Sequence, residues 1–444
     1  MNELSTIRGR LSRQKALGAL LARLLSGAWR DATAPPNISA AELAVITPLL
    51  DQTGSAALGW WRIKDSVLAS SPSSPRSSSR DGLSEMPSLT VGLLTRGPEP
   101  ATMLHEAYRK FRLSALIHEQ EIKYVFSLLR AEGIEPVLVK GWAIARLYPD
   151  RGLRPYGDID ICVRPDQFAK AEHALKCLDD IDGHYVDLHS GFAKLELWHR
   201  RPARESDHGQ DAHASALWDK LFERSQLVPL GEESIRVLGD EDHLRVLCLH
   251  LLRSGAWRPL WLCDVAVALE SRAADFDWDR CLTSDRKVAE WVACTIGLAR
   301  ELLGAEVRGR RSEVRDQKST PARQPRWLGP AILRQWGRSL NPHAIEPALP
   351  ALSRQMRKRG KFFAEVYARW DQPVRATVAL HGRFNNWPRW PYQLAELLLR
   401  SSEVPKQMSK MIKELVTPKA SNNSAQGNTL GKHVPQTIPY PERV

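Results

Sequence analysis

The chain has 444 residues, of which 43% are hydrophobic and 26% charged, an ordinary globular balance. That balance excludes wholesale disorder, collagen and a simple coiled coil, and no apolar run reaches the roughly 18 residues of a transmembrane helix. Sixty-three basic against 51 acidic residues leave a net charge of +12, which favours an anionic partner: nucleotide, nucleic acid or acidic membrane.

The length predicts about two to four folding units. Residues 1–68 read as a helical N-terminal region. Basic residues precede an apolar stretch there, as in a signal peptide, but Arg23 interrupts it. Leu17, Leu20, Leu21, Leu24 and Leu25 recur at helical spacing, which predicts an amphipathic helix packed on the rest of the protein. Residues 69–100 hold SSPSSPRSSSRD and read as a Ser/Pro-rich linker.

Residues 101–213 read as a small α/β core. Apolar residues at helical spacing, among them Leu104, Tyr108, Phe111, Ile122, Phe126 and Leu129, predict a helix over 102–131. Then the rhythm changes. PVLVKG is a short apolar run that reads as a buried strand, and WAIARLY as a short helix. GDIDICV alternates charged and apolar residues and reads as a second strand. PDQFAKAEHALKCL opens with Pro165 and Asp166 and continues as a helix. HYVDLHS and KLELWHR complete the set as further strands.

Residues 214–304 return to helical spacing, and DHGQDAH before them reads as a solvated polar loop. Residues 305–327 form a basic flexible loop, with seven basic and two acidic residues in RGRRSEVRDQKSTPARQPR. Residues 328–416 read as a helical C-terminal region with a basic cluster at 354–361, and 417–444 as a disordered tail. The six cysteines include no CxxC pair and lie mostly in apolar runs. They predict buried thiols in a reducing, cytoplasmic compartment.

The chemistry concentrates in LVKGWAIARLYPDRGLRPYGDIDICV, residues 138–163. On a strand, Asp158 and Asp160 point to one face while Ile159 and Ile161 point to the other, into a core. Two carboxylates a few ångströms apart repel, and a divalent cation removes the repulsion. Oxygen ligands suit Mg²⁺ or Mn²⁺. Asp187, on the next predicted strand, joins them if that strand is a neighbour. Lys140 and Gly141, at the end of a strand leading into a helix, suit phosphate, as does Arg154 just before the Asp pair.

The order of Gly141, a short helix, Asp158-Ile159-Asp160 and a later Asp187 resembles the nucleotidyltransferase superfamily of DNA polymerase beta type. More closely, Lys140-Gly141, the helix ending in Tyr148, an Arg, Asp-Ile-Asp and the later Val-Asp-Leu-His resemble a bacterial family of uncharacterised nucleotidyltransferases. The resemblance implies an α+β fold: a small mixed sheet flanked by helices, with mostly helical N- and C-terminal regions. It implies transfer of a nucleoside monophosphate from a nucleoside triphosphate, ATP first among them, to an unknown acceptor, with pyrophosphate leaving. By position, Asp158, Asp160 and Asp187 would be catalytic and would hold Mg²⁺ or Mn²⁺. Lys140, Gly141 and Arg154 would bind nucleotide or phosphate. A nucleic-acid partner is not favoured.

Two alternatives stand beside it. The superfamily has Gly-Ser where this chain has Gly141-Trp142, which keeps a catalytically degenerate nucleotide-binding or partner protein in play. A DxD glycosyltransferase also holds Mn²⁺, but the first 100 residues read as helical rather than Rossmann-like. Asp264, on an apolar helix, is expected to pair with His250 or Arg253, and His250 itself reads as a core histidine. The 15 tryptophans, including Trp387 and Trp390, read mainly as core or rim aromatics.

Overall fold

A computed structural model describes residues 3–31, 34–70, 99–176, 186–192, 207–282, 285–307, 324–338 and 372–399. The Ser/Pro-rich stretch, the KLELWHR strand, most of the basic 305–327 segment, the 354–361 cluster and the tail lie outside those residues.

Three helices open the chain: α1 (Glu3–Leu25), α2 (Ala40–Gln52) and α3 (Ala56–Ser70). As the leucine spacing predicts, Leu21, Leu24 and Leu25 of α1 are fully buried, with Leu17 and Leu20 packed beside them. A capping box starts α2: Ser39 accepts from the Glu42 backbone N–H, and Glu42 accepts from that of Ser39. The long α4 (Pro100–Ala131) follows.

The α/β unit comes next. Strand β1 (Val137–Leu138) leads into the four-residue α5 (Trp142–Ala145) and a 3₁₀ turn at Arg151–Leu153. Strand β2 (Ile159–Val163), helix α6 (Phe168–Leu175), strand β3 (Val186–Ser190) and helix α7 (Asp207–Glu223) continue it. Strands β4 (Gln226–Leu230) and β5 (Glu233–Val237) form a hairpin. The sheet order is β3-β2-β1-β5-β4. β2–β3 and β1–β5 are parallel, while β1–β2 and β4–β5 are antiparallel. The architecture is thus a small mixed sheet flanked by helices, as expected.

Two features differ from the sequence reading. The DHGQDAH segment is the first part of helix α7 rather than a loop. The region after 214 is not purely helical, because residues 226–237 complete the sheet. Val228, Leu230, Ile235 and Val237 alternate into the core there, a two-residue period that the surrounding helical spacing hides.

The last helices are α8 (Asp240–Arg253), α9 (Pro259–Ser271), α10 (Trp278–Leu282), α11 (Arg286–Leu303), α12 (Leu328–Trp336) and α13 (Pro373–Ala379). One face of the sheet packs Ile159, Ile161, Val163 and Val237 against Ile122, Phe126 and Leu129 of α4. The other face packs Val137, Val139 and Cys162 against Trp218, Leu221 and Val246. A larger helical core joins α1–α3 to α8, α9, α11 and α12. Its tightest crossing is α1 on α12: a Cβ on Gly18 would lie 1.8 Å from the Leu333 carbonyl oxygen. Cys162, Cys248, Cys263, Cys281 and Cys294 are buried free thiols, and burial pushes the Cys281 and Cys294 thiols up to about 12. Among the described residues, no helix is long and apolar enough to cross a membrane.

Candidate active site

The site forms where β2 and β3 run side by side. Alternation sends Ile159, Ile161 and Val163 of β2 into the core under α4, so Asp160 faces the other side. The parallel register pairs Asp160 with Asp187 and Cys162 with His189. Asp187 and His189, two apart on β3, share that face. The result is a cluster of Asp160, Asp187 and His189 whose donor atoms all lie within 4.8 Å of one another.

Burial grades across the cluster. The side chains of Asp160 and His189 are 11% and 12% exposed, while that of Asp187 is 44% exposed. Asp187 is thus the most solvent-facing of the three side chains. His189 Nε2 stands 3.2 Å from Asp187 Oδ2 and 3.7 Å from Asp160 Oδ1. It is buried and lacks a well-directed hydrogen bond among the described residues. The imidazole nitrogen is ion-paired with the two carboxylates. Two carboxylates and one imidazole could instead together hold a divalent metal ion.

Lys140 reaches the same point from the end of β1, its Nζ 2.6 Å from Asp160 Oδ1. Burial pushes the Asp160 carboxyl up, but Lys140 and His189 outweigh it and hold it at about 2. The His189 contact holds Asp187 below the usual carboxylate range. Burial pulls His189 down, and the two carboxylates more than reverse that, leaving it raised. His250 lies near enough to feel Lys140 and Asp160, and burial drives it far below its ordinary value. It is half-buried and packs edge-on against Trp261 at 4.7 Å.

The other residues singled out from the sequence fall as follows. Asp158 sits one residue before β2, half-buried, outside the three-residue cluster. Gly141 has φ 51° and ψ −116°, a conformation open to glycine alone, and a Cβ there would stand 3.3 Å from the Asp158 carbonyl oxygen. Trp142, at the position where the resemblance places a Ser, is buried in the core with Ile159 and Ile161. Arg154 is buried, close enough to Asp160 to interact with it, and is engaged by a second carboxylate. It donates to Asp264 through Nη2 at 2.9 Å and Nε at 3.1 Å, and Tyr148 donates its hydroxyl to the same carboxylate at 2.8 Å. Asp264 does make a structural pair, but with Arg154 rather than with His250 or Arg253.

His189 is the site residue that sequence reasoning did not assign. Its signal was present: Asp187 and His189 at i and i+2 in an apolar-flanked strand share a face, as Asp158 and Asp160 do.

The described site is thus a Lys-Gly turn and two adjacent parallel strands, one carrying Asp160 and the other Asp187 and His189. Residues 90–304 match the model of a family described as uncharacterised nucleotidyltransferase. That segment spans the described sheet and its flanking helices α4–α11. No curated protein and no solved structure matches the chain.

Proposed function

We propose that this chain is a metal-dependent nucleotidyltransferase. It moves a nucleoside monophosphate from a nucleoside triphosphate, ATP first among them, to an acceptor yet to be identified. The acceptor oxygen bonds to the α-phosphorus as the bond to the pyrophosphate oxygen breaks. The observation that carries this is the Asp160–Asp187–His189 cluster, set on adjacent parallel strands inside the family-matched segment.

Asp160, Asp187 and His189 would hold Mg²⁺ or Mn²⁺, with Asp158 as a further carboxylate two residues before Asp160. A bound divalent ion neutralises triphosphate charge and polarises the phosphoryl oxygens. The protein's own part is positioning and electrostatics. Asp160 is fixed by its strand and by Lys140. Gly141 lets the backbone turn tightly beside the Asp158 carbonyl, bringing Lys140 to the site. Lys140 serves the phosphates as a point charge. Arg154 acts through structure: it ties the segment before β2 to α9 and so fixes where Asp158 and Asp160 sit.

The Lys140–Asp160 ion pair favours the catalytically degenerate alternative, since an internal ammonium already offsets the most buried carboxylate. The glycosyltransferase alternative loses ground, because α1–α4 precede the first strand among the described residues.

Thermal unfolding with each nucleoside triphosphate and Mg²⁺, Mn²⁺ or chelator separates the two remaining readings. A ligand at about 100 times its Kd adds about 2.7 kcal/mol. A metal-dependent rise in Tm with triphosphate, lost in an Asp160→Asn/Asp187→Asn double variant, together with pyrophosphate release, supports the transferase. A metal-independent rise without turnover supports the degenerate protein. No rise with any combination refutes both.

A further inference from the structure

A cavity of about 480 Å³ lies outside the family-matched segment, and none of its lining residues belongs to the Asp160 site. Its walls come from α1, from α12 and its flanking residues Trp327 and Arg338, from Gln372 and Pro373 at the start of α13, and from residues 386–393. Four of the lining residues are arginines: Arg10, Arg334, Arg338 and Arg389. Among the described residues that line it, none is acidic. Four guanidinium groups around one opening make the described wall cationic.

The walls are built rather than incidental. Arg389 is 7% exposed and donates to the carbonyls of Trp387 at 2.8 Å and Arg383 at 3.0 Å, and to Asn385 Oδ1. It lies over the rings of Trp327 at 5.1 Å and Tyr392 at 4.8 Å. The Trp327 indole donates to the Asn385 carbonyl at 2.7 Å, and the Arg326 N–H donates to Asn386 Oδ1 at 2.8 Å. The 385–390 turn is thereby locked onto the start of α12. Two large aromatics on this locked turn face water: Trp387 is 74% and Trp390 60% exposed. An exposed indole costs hydration free energy, and nothing in the folding of this turn requires two.

We propose that this cavity binds a nucleoside phosphate, with the phosphate among Arg10, Arg334 and Arg338 and the base stacked on Trp387. The combination of cationic groups with planar faces fits this chemistry better than a simple polyanion. Guanidinium groups recognise phosphate oxygens, and an indole stacks on any base. The volume falls in the range of small-molecule sites. A free mononucleotide and the terminal nucleotide of a single strand offer the same groups, so both are tested.

The experiment uses the full chain in chelator, which silences metal-dependent binding at the Asp160 site. AMP is titrated by tryptophan fluorescence, and a labelled decariboadenylate by fluorescence polarisation. Trp387→Ala and Arg334→Glu should each weaken binding by about fivefold or more, the lower end of base–aromatic stacking. Asp160→Asn should leave it unchanged. Binding of AMP identifies the free nucleotide as sufficient, and binding of the decamer alone identifies the strand. The proposal is overturned if neither binds up to millimolar concentration. It is equally overturned if Trp387→Ala and Arg334→Glu stay within twofold of wild type, or if Asp160→Asn abolishes binding. Circular dichroism checks each fold, and Arg10→Gln with Arg334→Gln replaces any charge-reversal variant that does not fold.

Discussion

Arg154 offers the sharpest test of how this molecule is held together. Its guanidinium and the Asp264 carboxylate are 8% and 1% exposed, and two N–H groups meet the two carboxylate oxygens. The Tyr148 hydroxyl completes the carboxylate. Asp264→Ala removes the acceptor for all three donors and leaves a buried cation uncompensated. Breaking one side of such a pair costs about 3–5 kcal/mol. At about 2 °C per kcal/mol for a large domain, Tm should fall by roughly 6–10 °C. An apolar Arg154→Met/Asp264→Leu pair removes both charges and should recover most of that loss, because neither desolvation penalty remains. Calorimetry on wild type, both singles and the double gives the coupling free energy directly. A loss under about 1 kcal/mol for Asp264→Ala, or a double variant no better than the sum of the singles, refutes the structural role. A phosphate ligand would behave oppositely: Arg154→Met would weaken nucleotide binding with little change in Tm.

Gly141→Ala should cost about 1–3 kcal/mol, because its φ of 51° with ψ of −116° strains any L-residue and its Cβ crowds the Asp158 carbonyl. Any triphosphate-dependent turnover should fall with it, measured by pyrophosphate release. Gly18→Ala should be among the most damaging substitutions outside the sheet, since its Cβ would sit 1.8 Å from backbone at Leu333; chemical denaturation should show a midpoint drop exceeding that of Gly9→Ala, where nothing lies within 4 Å. His243 is buried and held down to about 3, first by desolvation and then by Arg146 and Arg154. Its folded value lies below the unfolded one of about 6.5, so the unfolded state takes up the proton first and stability falls as pH drops from about 6.5 toward 3. Between pH 7 and 5.5 this amounts to about 1 kcal/mol, and His243→Gln should flatten the pH dependence of urea stability by that much. An unchanged slope would contradict it.

Much of the fold was legible locally. The leucine spacing of α1, the apolar stripe of α4 and the alternation of β2 each report a single period, and each fixes which side chains point inward. The Asp160 face followed from Ile159 and Ile161 alone. The β4–β5 hairpin was readable but masked by helical spacing on both sides, and α7 began earlier than its polar composition indicated. Arg154 was legible beside the Asp pair by its place in the chain, but its partner Asp264 was not.

The sequence by itself determined the family resemblance, the strand carrying Asp160, the turn at Gly141 and the helices around them, because those signals lie within one element or one short stretch. Only the tertiary structure decided three other things. The parallel register of β2 and β3 set Asp160 against Asp187 and brought His189 into the cluster. The packing of α9 under the 3₁₀ turn gave Arg154 its carboxylate 110 residues away. The crossing of α1 and α12 gathered Arg10, Arg334 and Arg338 beside Trp387 and Trp390. Each is a contact between segments far apart in sequence, and such pairings depend on register and helix crossing, which no local period encodes.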